Sequence, residues 1–180
     1  PQQFTQFGVE YLLNVIKTDL NDFGVHFQVW SHESKIATKD GIEKMLKGLE
    51  KKELLYEKDG ALWFKSTDFG DDKDRVVKKS DGTYTYLSPD IVYHKNKYDR
   101  KFDQVINIWG PDHHGYIPRL KAAVEALGKS RDALEVLIVQ LATIYRDGKP
   151  VSMSTRRGEF ISLREVIDEV GVDAARFFFL

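Results

Sequence analysis

Three short segments carry residue types able to do chemistry. The first is Gly110-Pro111-Asp112-His113-His114-Gly115. Gly110 lets the backbone turn sharply and a ligand come close. Asp112 can accept hydrogen bonds from a ribose, and His113 and His114 fall in the first turn of a following helix, whose N-terminal dipole favours anions. The plainer alternative is that Asp112 only caps that helix. The second segment, Tyr86-Leu87-Ser88-Pro89-Asp90, sets a phenol and a carboxylate on either side of a strand-to-helix turn. Such a pair suits a cationic ligand, above all a guanidinium, which a carboxylate binds in bidentate fashion. Alternatively, Asp90 merely complements the helix dipole. The third, Val151-Ser152-Met153-Ser154-Thr155-Arg156-Arg157-Gly158, is a basic, hydroxyl-rich loop that either holds a triphosphate or pyrophosphate or is an ordinary solvated turn.

Asp112 and His113 also raise a metal-dependent phosphoesterase as a rival. Adjacent residues project in different directions, however, and the further carboxylates that such a site needs, Asp71, Asp72 and Asp74, fall in a hairpin loop that reads as solvated surface. The sequence holds no G-x-G-x-x-G, no Walker loop and no G-x-S-x-G, and the kinase-like triplet Asp68-Phe69-Gly70 has no companion motifs. His26, His32 and His94 serve equally well as satisfied structural histidines.

The elements that must position these segments follow from periodicity. Val9, Leu12, Leu13, Ile16 and Leu20 recur at helical spacing over about residues 8–21. Val25, Phe27 and Val29 alternate as a short strand. Asp40 reads as the N-cap of a helix whose apolar face is Ile42, Met45, Leu46 and Leu49. Two hairpins are expected around Asp59-Gly60 and Asp81-Gly82, the second pairing residues 75–79 with 83–87. Ser88 then caps a helix with Pro89 at its first position. Val105–Trp109 and residues 134–141 read as buried strands. Between them lies a helix marked by Leu120, Ala123, Val124 and Leu127 and closed by Gly128. Leu163, Val166, Ile167 and Val170 mark another, ended by Gly171, and Asp173 caps a last one. Strands alternating with helices imply a parallel sheet with crossovers, and ligands in such sheets sit beyond the carboxyl ends of the strands. Residues 1–87 thus read as an α+β insertion, and 88–180 as half of a doubly wound α/β fold.

Composition narrows the function classes. The 180 residues carry 27 Lys plus Arg against 28 Asp plus Glu, which argues against a strongly basic nucleic-acid binder or an acidic tail. A hydrophobic fraction of 42% with 12% aromatics supports a packed core. With no cysteine, a disulfide scaffold, a thiolate nucleophile and a Cys-ligated metal are excluded. No apolar run approaches the ~18 residues of a membrane span. The sequence starts at Pro1 and stops at Phe177-Phe178-Phe179-Leu180, which reads as a piece of a larger protein whose apolar end favours self-association.

The segments, in this order, resemble the catalytic domain of arginyl-tRNA synthetases, class I enzymes. The resemblance runs through Asp59-Gly60-Ala61-Leu62-Trp63, Gly70-Asp71-Asp72-Lys73-Asp74-Arg75-Val76, Asp81-Gly82-Thr83-Tyr84-Thr85-Tyr86 and Asp90-Ile91-Val92-Tyr93-His94. It continues through Trp109-Gly110-Pro111-Asp112-His113-His114-Gly115 and Met153-Ser154-Thr155-Arg156-Arg157-Gly158 to Glu169-Val170-Gly171-Val172-Asp173-Ala174-Ala175-Arg176-Phe177. It implies an α/β fold: the second half of a class I Rossmann-like nucleotide-binding domain (88–180) with a connective insertion (1–87). It also implies arginine, ATP with Mg2+ and tRNA(Arg) as substrates, no protein-bound metal, a cytoplasmic location and a monomeric full-length enzyme. By the same resemblance Tyr86 and Asp90 bind arginine, Asp90 through the guanidinium, and His113 supports that pocket. Gly110 and Asp112 match the segment under the adenosine ribose. Val151 and Met153 fall at the ATP site, and Met153-Ser154-Thr155 matches the K-M-S-K-S loop that stabilises departing pyrophosphate.

Two departures stand out. Ser152 and Thr155 replace the lysines of that loop, leaving Arg156 or Arg157 as candidates to supply charge, and the sequence has no H-x-G-H motif. A free-standing, non-catalytic paralogue that binds arginine or tRNA is therefore the nearest alternative. The isolated chain is expected to show neither aminoacylation nor ATP–pyrophosphate exchange; robust turnover of either kind would overturn the reading of it as an incomplete catalytic unit.

Overall fold

The computed structural model describes residues 2–151 and 160–179. Packing divides the chain into two compact units, Ser31–Leu141 and a second made of Pro1–Trp30 with Ala142–Leu180. The second unit opens with helix α1 (Gln2–Asp22), longer than its periodic core suggests. Its apolar side chains Phe7, Leu12 and Ile16 remain exposed. The alternating residues 25–29 form no strand: no strand pairs with them among the described residues, Val25 N–H donates instead to Leu20 O at 2.8 Å, and Phe27 and Val29 face solvent.

The unit Ser31–Leu141 begins with the single turn α2 (Glu33–Ile36) and helix α3 (Lys39–Glu50). Thr38, not Asp40, caps α3: its hydroxyl accepts the Gly41 N–H at 3.1 Å, while Asp40 sits inside the first turn. Ile42, Met45, Leu46 and Leu49 are buried on one face, as their spacing requires. Strands β1 (Leu55–Lys58) and β2 (Ala61–Phe64) form the expected hairpin, with Asp59 and Gly60 both at positive φ, 52° and 72°. That is the geometry a two-residue turn needs to match strand twist.

The second expected hairpin forms around Asp81-Gly82 in shortened form. Strand β3 (Arg75–Lys78) joins β2 antiparallel on one side; across Asp81-Gly82 Lys79 N–H donates to Thr83 O at 2.8 Å, Lys78 bridges Tyr84, and Thr85 N–H donates to Val77 O at 3.1 Å. The segment after Tyr84 instead turns into helix α4 (Leu87–Asp99). Ser88 does not cap α4. Its buried hydroxyl donates to the Val77 carbonyl at 2.7 Å, and the Thr85 hydroxyl donates to Val76 O at 2.7 Å. The start of α4 is thereby tied to β3.

Strand β4 (Val105–Trp109) leads through a 3-10 turn (Pro111–Tyr116) into α5 (Ile117–Ala126), and β5 (Leu134–Ile138) returns parallel to β4 in the register Val105–Leu134 to Trp109–Ile138. The alternation of helix and parallel strand is as expected, but the strands are not buried on both faces. Val105, Asn107 and Leu134 point into the unit, whereas Ile106, Ile108 and Leu137 are exposed.

The core centres on Phe64 and Val77 of the antiparallel sheet. They pack with the α3 face, with Leu87, Ile91 and Val92 of α4, and with Ala122, Ala123 and Ala126 of α5. Leu87 and Ile91 therefore share a core with the sheet, so packing groups residues across the 87/88 organisational boundary. A second cluster joins Tyr98, Val105, Leu120, Val124 and Leu134.

The other unit resumes with the short strands β6 (Tyr145–Arg146) and β7 (Lys149–Pro150), then α6 (Leu163–Val170) and α7 (Val172–Phe179). Ser162 and Glu165 form a capping box at α6. Arg164 on α6 pairs with Asp19 and Asp22 of α1 at 2.8 and 2.6 Å, and Arg176 on α7 donates to Phe23 O at 2.7 Å.

Phe64 is fully buried and Ile108 is 69% exposed. Phe64→Ala should lower the unfolding free energy by about 3–5 kcal/mol in urea titrations, and Ile108→Ser should change it by less than about 0.5 kcal/mol. Equal effects would contradict this division between core and open sheet face.

Candidate functional site

The first turns of α4 and the short helix α2 enclose a cavity of about 330 Å³, whose walls include Glu33, Ile36, Tyr86, Pro89, Asp90 and Tyr93. The tethers from Ser88 and Thr85 to β3 explain why α4 starts where it does, with Tyr86 at its N-cap and Asp90 one turn in. Tyr86 is 89% exposed. Asp90 is half-buried, and its carboxyl is pushed above the usual range, first by burial and then by the Glu33 charge, against an opposing hydrogen bond from Tyr116. Neither carboxylate forms an ion pair with a described residue. Two carboxylates and two phenols around one cavity, with no internal cation, make a site for a cationic ligand that brings its own hydrogen-bond donors.

Beneath this cavity Asp90 is held from two sides. Tyr116, the last residue of the 3-10 turn, donates its phenol to Asp90 Oδ2 at 2.6 Å. The phenol's own pKa is raised by burial and by that carboxylate. His94 holds the Asp90 carbonyl with Nδ1 at 2.8 Å, and its Nε2 lies 2.9 Å from Asn107 Nδ2 on β4. Since a carbonyl only accepts, Nδ1 carries the proton and Nε2 accepts from the Asn107 amide. Lys97 Nζ donates to Asn107 Oδ1 at 2.8 Å and lies 4.4 Å from the Tyr93 ring centroid. Burial and the Lys97 charge lower the His94 pKa to about 4, and burial with Arg100 lowers that of Lys97 to about 8. The network joins α4 to β4 through a neutral histidine.

The other expected residues lie apart from this cavity. Gly110 has φ −72°, so no sharp glycine turn is needed there; a Cβ would instead meet Asp112 Oδ1 at 2.8 Å. Asp112 makes no capping hydrogen bond, which removes the plainer reading of it as a cap. Its exposed carboxylate lies 3.5 Å from His113 Nε2, and the His113 ring neighbours Trp109 at 5.9 Å. His113 is not among the residues lining the cavity. Gly110 and Asp112 do stand beyond the carboxyl end of β4, as the parallel-strand rule requires. Val151 donates its N–H to Ile144 O at 2.8 Å in the other unit. Met153, Ser154, Thr155 and Arg156 lie outside the described residues.

The acidic loop also departs from expectation. Asp71 is not solvated surface: its side chain is 1% exposed and accepts Arg75 Nε at 2.7 Å and Nη2 at 2.8 Å. Burial pushes its carboxyl up, but the Arg75 hydrogen bonds prevail and hold it well below the usual range. Asp74 likewise accepts from Thr67 and Tyr56. Among the described residues no group of three or more His, Asp or Glu could hold a metal ion, so the phosphoesterase reading gains no donor set there.

Sequence reasoning missed Glu33, Tyr93 and Tyr116 as neighbours of Asp90. Glu33 follows a segment that alternates like a strand and carries no site signal, and Tyr116 reaches Asp90 because α4 and α5 pack side by side. The sole sequence signal for Tyr116 was its place just after Asp112-His113-His114-Gly115.

Residues 2–177 match the family model described as tRNA synthetases class I (R), catalytic domain. The chain is 53% identical over 176 residues to an arginine–tRNA ligase of Bacillus subtilis, covering 98% of this chain and 32% of that protein. It is 51% identical over 177 residues to one of Citrifermentans bemidjiense, again 98% of this chain and 32% of the relative. The chain thus spans about a third of the length of the curated relatives it matches. A solved structure named as an arginyl-tRNA synthetase of Campylobacter jejuni superposes with TM-score 0.88 at 40% identity, covering 97% of this chain and 38% of that one. One from Thermus thermophilus, at 19% identity and TM-score 0.75 over 91% of this chain and 33% of that one, shares the fold.

The neutral His94 gives the site a pH signature. Its folded pKa of about 4 lies below the 6.5 of a free histidine, so on acidification the unfolded chain takes up the proton first. The stability it supports is complete above about pH 6.5 and is lost as pH falls toward about 4, an effect of order 3 kcal/mol. The raised pKa of Asp90 acts in the opposite direction at the acid end. In His94→Gln the first effect disappears, so the stability gap between wild type and variant should shrink as pH is lowered across that window. A gap that stays constant in urea titrations would show that His94 is not held neutral.

Proposed function

Since the chain belongs to the class I tRNA synthetase (R) catalytic-domain family, with its α/β fold, we propose that the protein containing it joins arginine to tRNA(Arg). In this reading the arginine carboxylate attacks the α-phosphate of ATP, the bond to pyrophosphate breaks, and arginyl-adenylate forms. A terminal ribose hydroxyl of the tRNA then takes the arginyl group and AMP leaves. ATP enters as its Mg2+ complex, as substrate. No side chain acts as a covalent nucleophile; the chain's contribution is positioning and charge stabilisation.

The observation that carries the reading is the cavity between α2 and α4, where Glu33 and Asp90 present carboxylates with no ion-pair partner among the described residues, beside the Tyr86 phenol. A guanidinium supplies the missing positive charge and planar donors. Gly110 and Asp112, beyond the carboxyl end of β4, are suited to the adenosine ribose, with His113 beside them. Val151 and the segment Met153, Ser154, Thr155 and Arg156 are assigned to the ATP phosphates by resemblance. Within the full-length protein, residues 1–87 serve as the connective insertion and 88–180 as the second half of the nucleotide fold. The full-length enzyme is proposed to be monomeric and cytoplasmic; no described helix is long and apolar enough to cross a membrane.

Asp90→Ala in the full-length protein should weaken binding of a non-hydrolysable arginyl-adenylate analogue by roughly 2–5 kcal/mol in calorimetry, because the guanidinium loses its counter-charge. An unchanged affinity would remove Asp90 from the pocket.

A further inference from the structure

Asp90 is the carboxylate assigned to the guanidinium, and its two oxygens stand in different situations. Oδ2 accepts the Tyr116 phenol at 2.6 Å, whereas no hydrogen bond from a described residue reaches Oδ1. Tyr116 is itself immobilised. Its ring meets Trp109 edge-on with centroids 6.0 Å apart, and the Arg119 guanidinium carbon lies 4.7 Å from its centroid. It packs against both core clusters. A phenol held this firmly fixes the carboxylate it bonds to, in position and in rotation about its C–C bond.

We propose that Tyr116 is the positioning residue for substrate recognition: it holds Oδ2 of Asp90 and so presents Oδ1 to the cationic end of the ligand. The inference rests on the reading of Asp90 as the arginine contact. It assigns Tyr116 no contact with the substrate.

The same bond has an electrostatic consequence. Burial and the Glu33 charge disfavour the ionised carboxylate, while the Tyr116 hydrogen bond and the Lys97 charge favour it. The other charged or titratable neighbours are the Tyr86 and Tyr93 phenols of the cavity wall, His94 on α4, which bonds the Asp90 carbonyl and is neutral, and Arg119 and Arg75, whose charges act on Tyr116. Removing the phenol hydrogen bond leaves burial and Glu33 less opposed, so Asp90 takes up its proton at higher pH. A protonated Asp90 has no charge to offer a guanidinium.

The test is steady-state kinetics of the full-length protein with Tyr116→Phe, which keeps the ring and its contacts with Trp109 and Arg119. The KM for arginine should rise about tenfold or more with little change in kcat or in the KM for ATP, since a hydrogen bond to a charged group is lost. The acid limb of kcat/KM for arginine should move to higher pH, a shift that a purely structural tyrosine would not cause. Asp90→Asn should raise the same KM, and adding Tyr116→Phe to it should raise it no further. If Asp90→Asn acts but Tyr116→Phe leaves both the KM and the acid limb in place, Tyr116 has no positioning role, while the assignment of Asp90 stands. If Asp90→Asn leaves the arginine KM unchanged, the assignment of Asp90 falls and the proposal falls with it.

Discussion

A carboxylate drawn partly out of water must be held by other donors or it gives up its charge. Asp90 meets this constraint, and much of the unit Ser31–Leu141 is arranged around it. The Tyr116 phenol takes one of its oxygens, and neutral His94 takes its carbonyl. Behind these stand Asn107 and Lys97, which carry the hold across to β4, and Ser88, which pins the same helix to β3. The helix bearing the candidate ligand contact is thus fixed to both sheets of the unit by directed hydrogen bonds. Phe64, Ile91 and the alanines of α5 supply the apolar packing beneath.

The charges around this cavity suit it to a cation. Lys97 is the nearest positive group on α4, yet its ammonium is spent on Asn107 and on the Tyr93 ring. Arg75, a second cation of this unit, is committed to Asp71 and Asp72. Glu33 and Asp90 therefore keep their carboxylates for what enters from outside. The Glu33 charge disfavours the ionised form of Asp90, and a guanidinium relieves that repulsion with planar, paired donors.

Much of this was legible in the sequence where the signal was local. The α3 face, the Asp59-Gly60 turn, Val105–Trp109 and the helix closed by Gly128 follow from spacing and turn chemistry alone. Errors arose where tertiary partners decide. Residues 25–29 alternate like a strand but have no strand to pair with among the described residues, and Thr38 outcompetes Asp40 as a cap because its hydroxyl is placed one turn ahead of the Gly41 amide. Ser88 looked like a cap, yet its hydroxyl turns inward to a carbonyl of β3. Tyr86 and Asp90 could be paired from sequence because they lie four residues apart. Tyr116 and Glu33 could not, since Tyr116 lies 26 positions along the chain from Asp90 and the packing of α4 beside α5 brings them together.

In the proposed function, carboxylate charge in the cavity between α2 and α4 selects a guanidinium. Calorimetric binding of arginine and of citrulline, its uncharged urea counterpart, to the full-length wild-type protein tests it most directly, since the two ligands share shape and differ in charge and donor number. Arginine should bind at least about thirtyfold more tightly than citrulline. Equal affinities would contradict the account, because a site built on Asp90 and Glu33 cannot treat a neutral ligand and a cation alike.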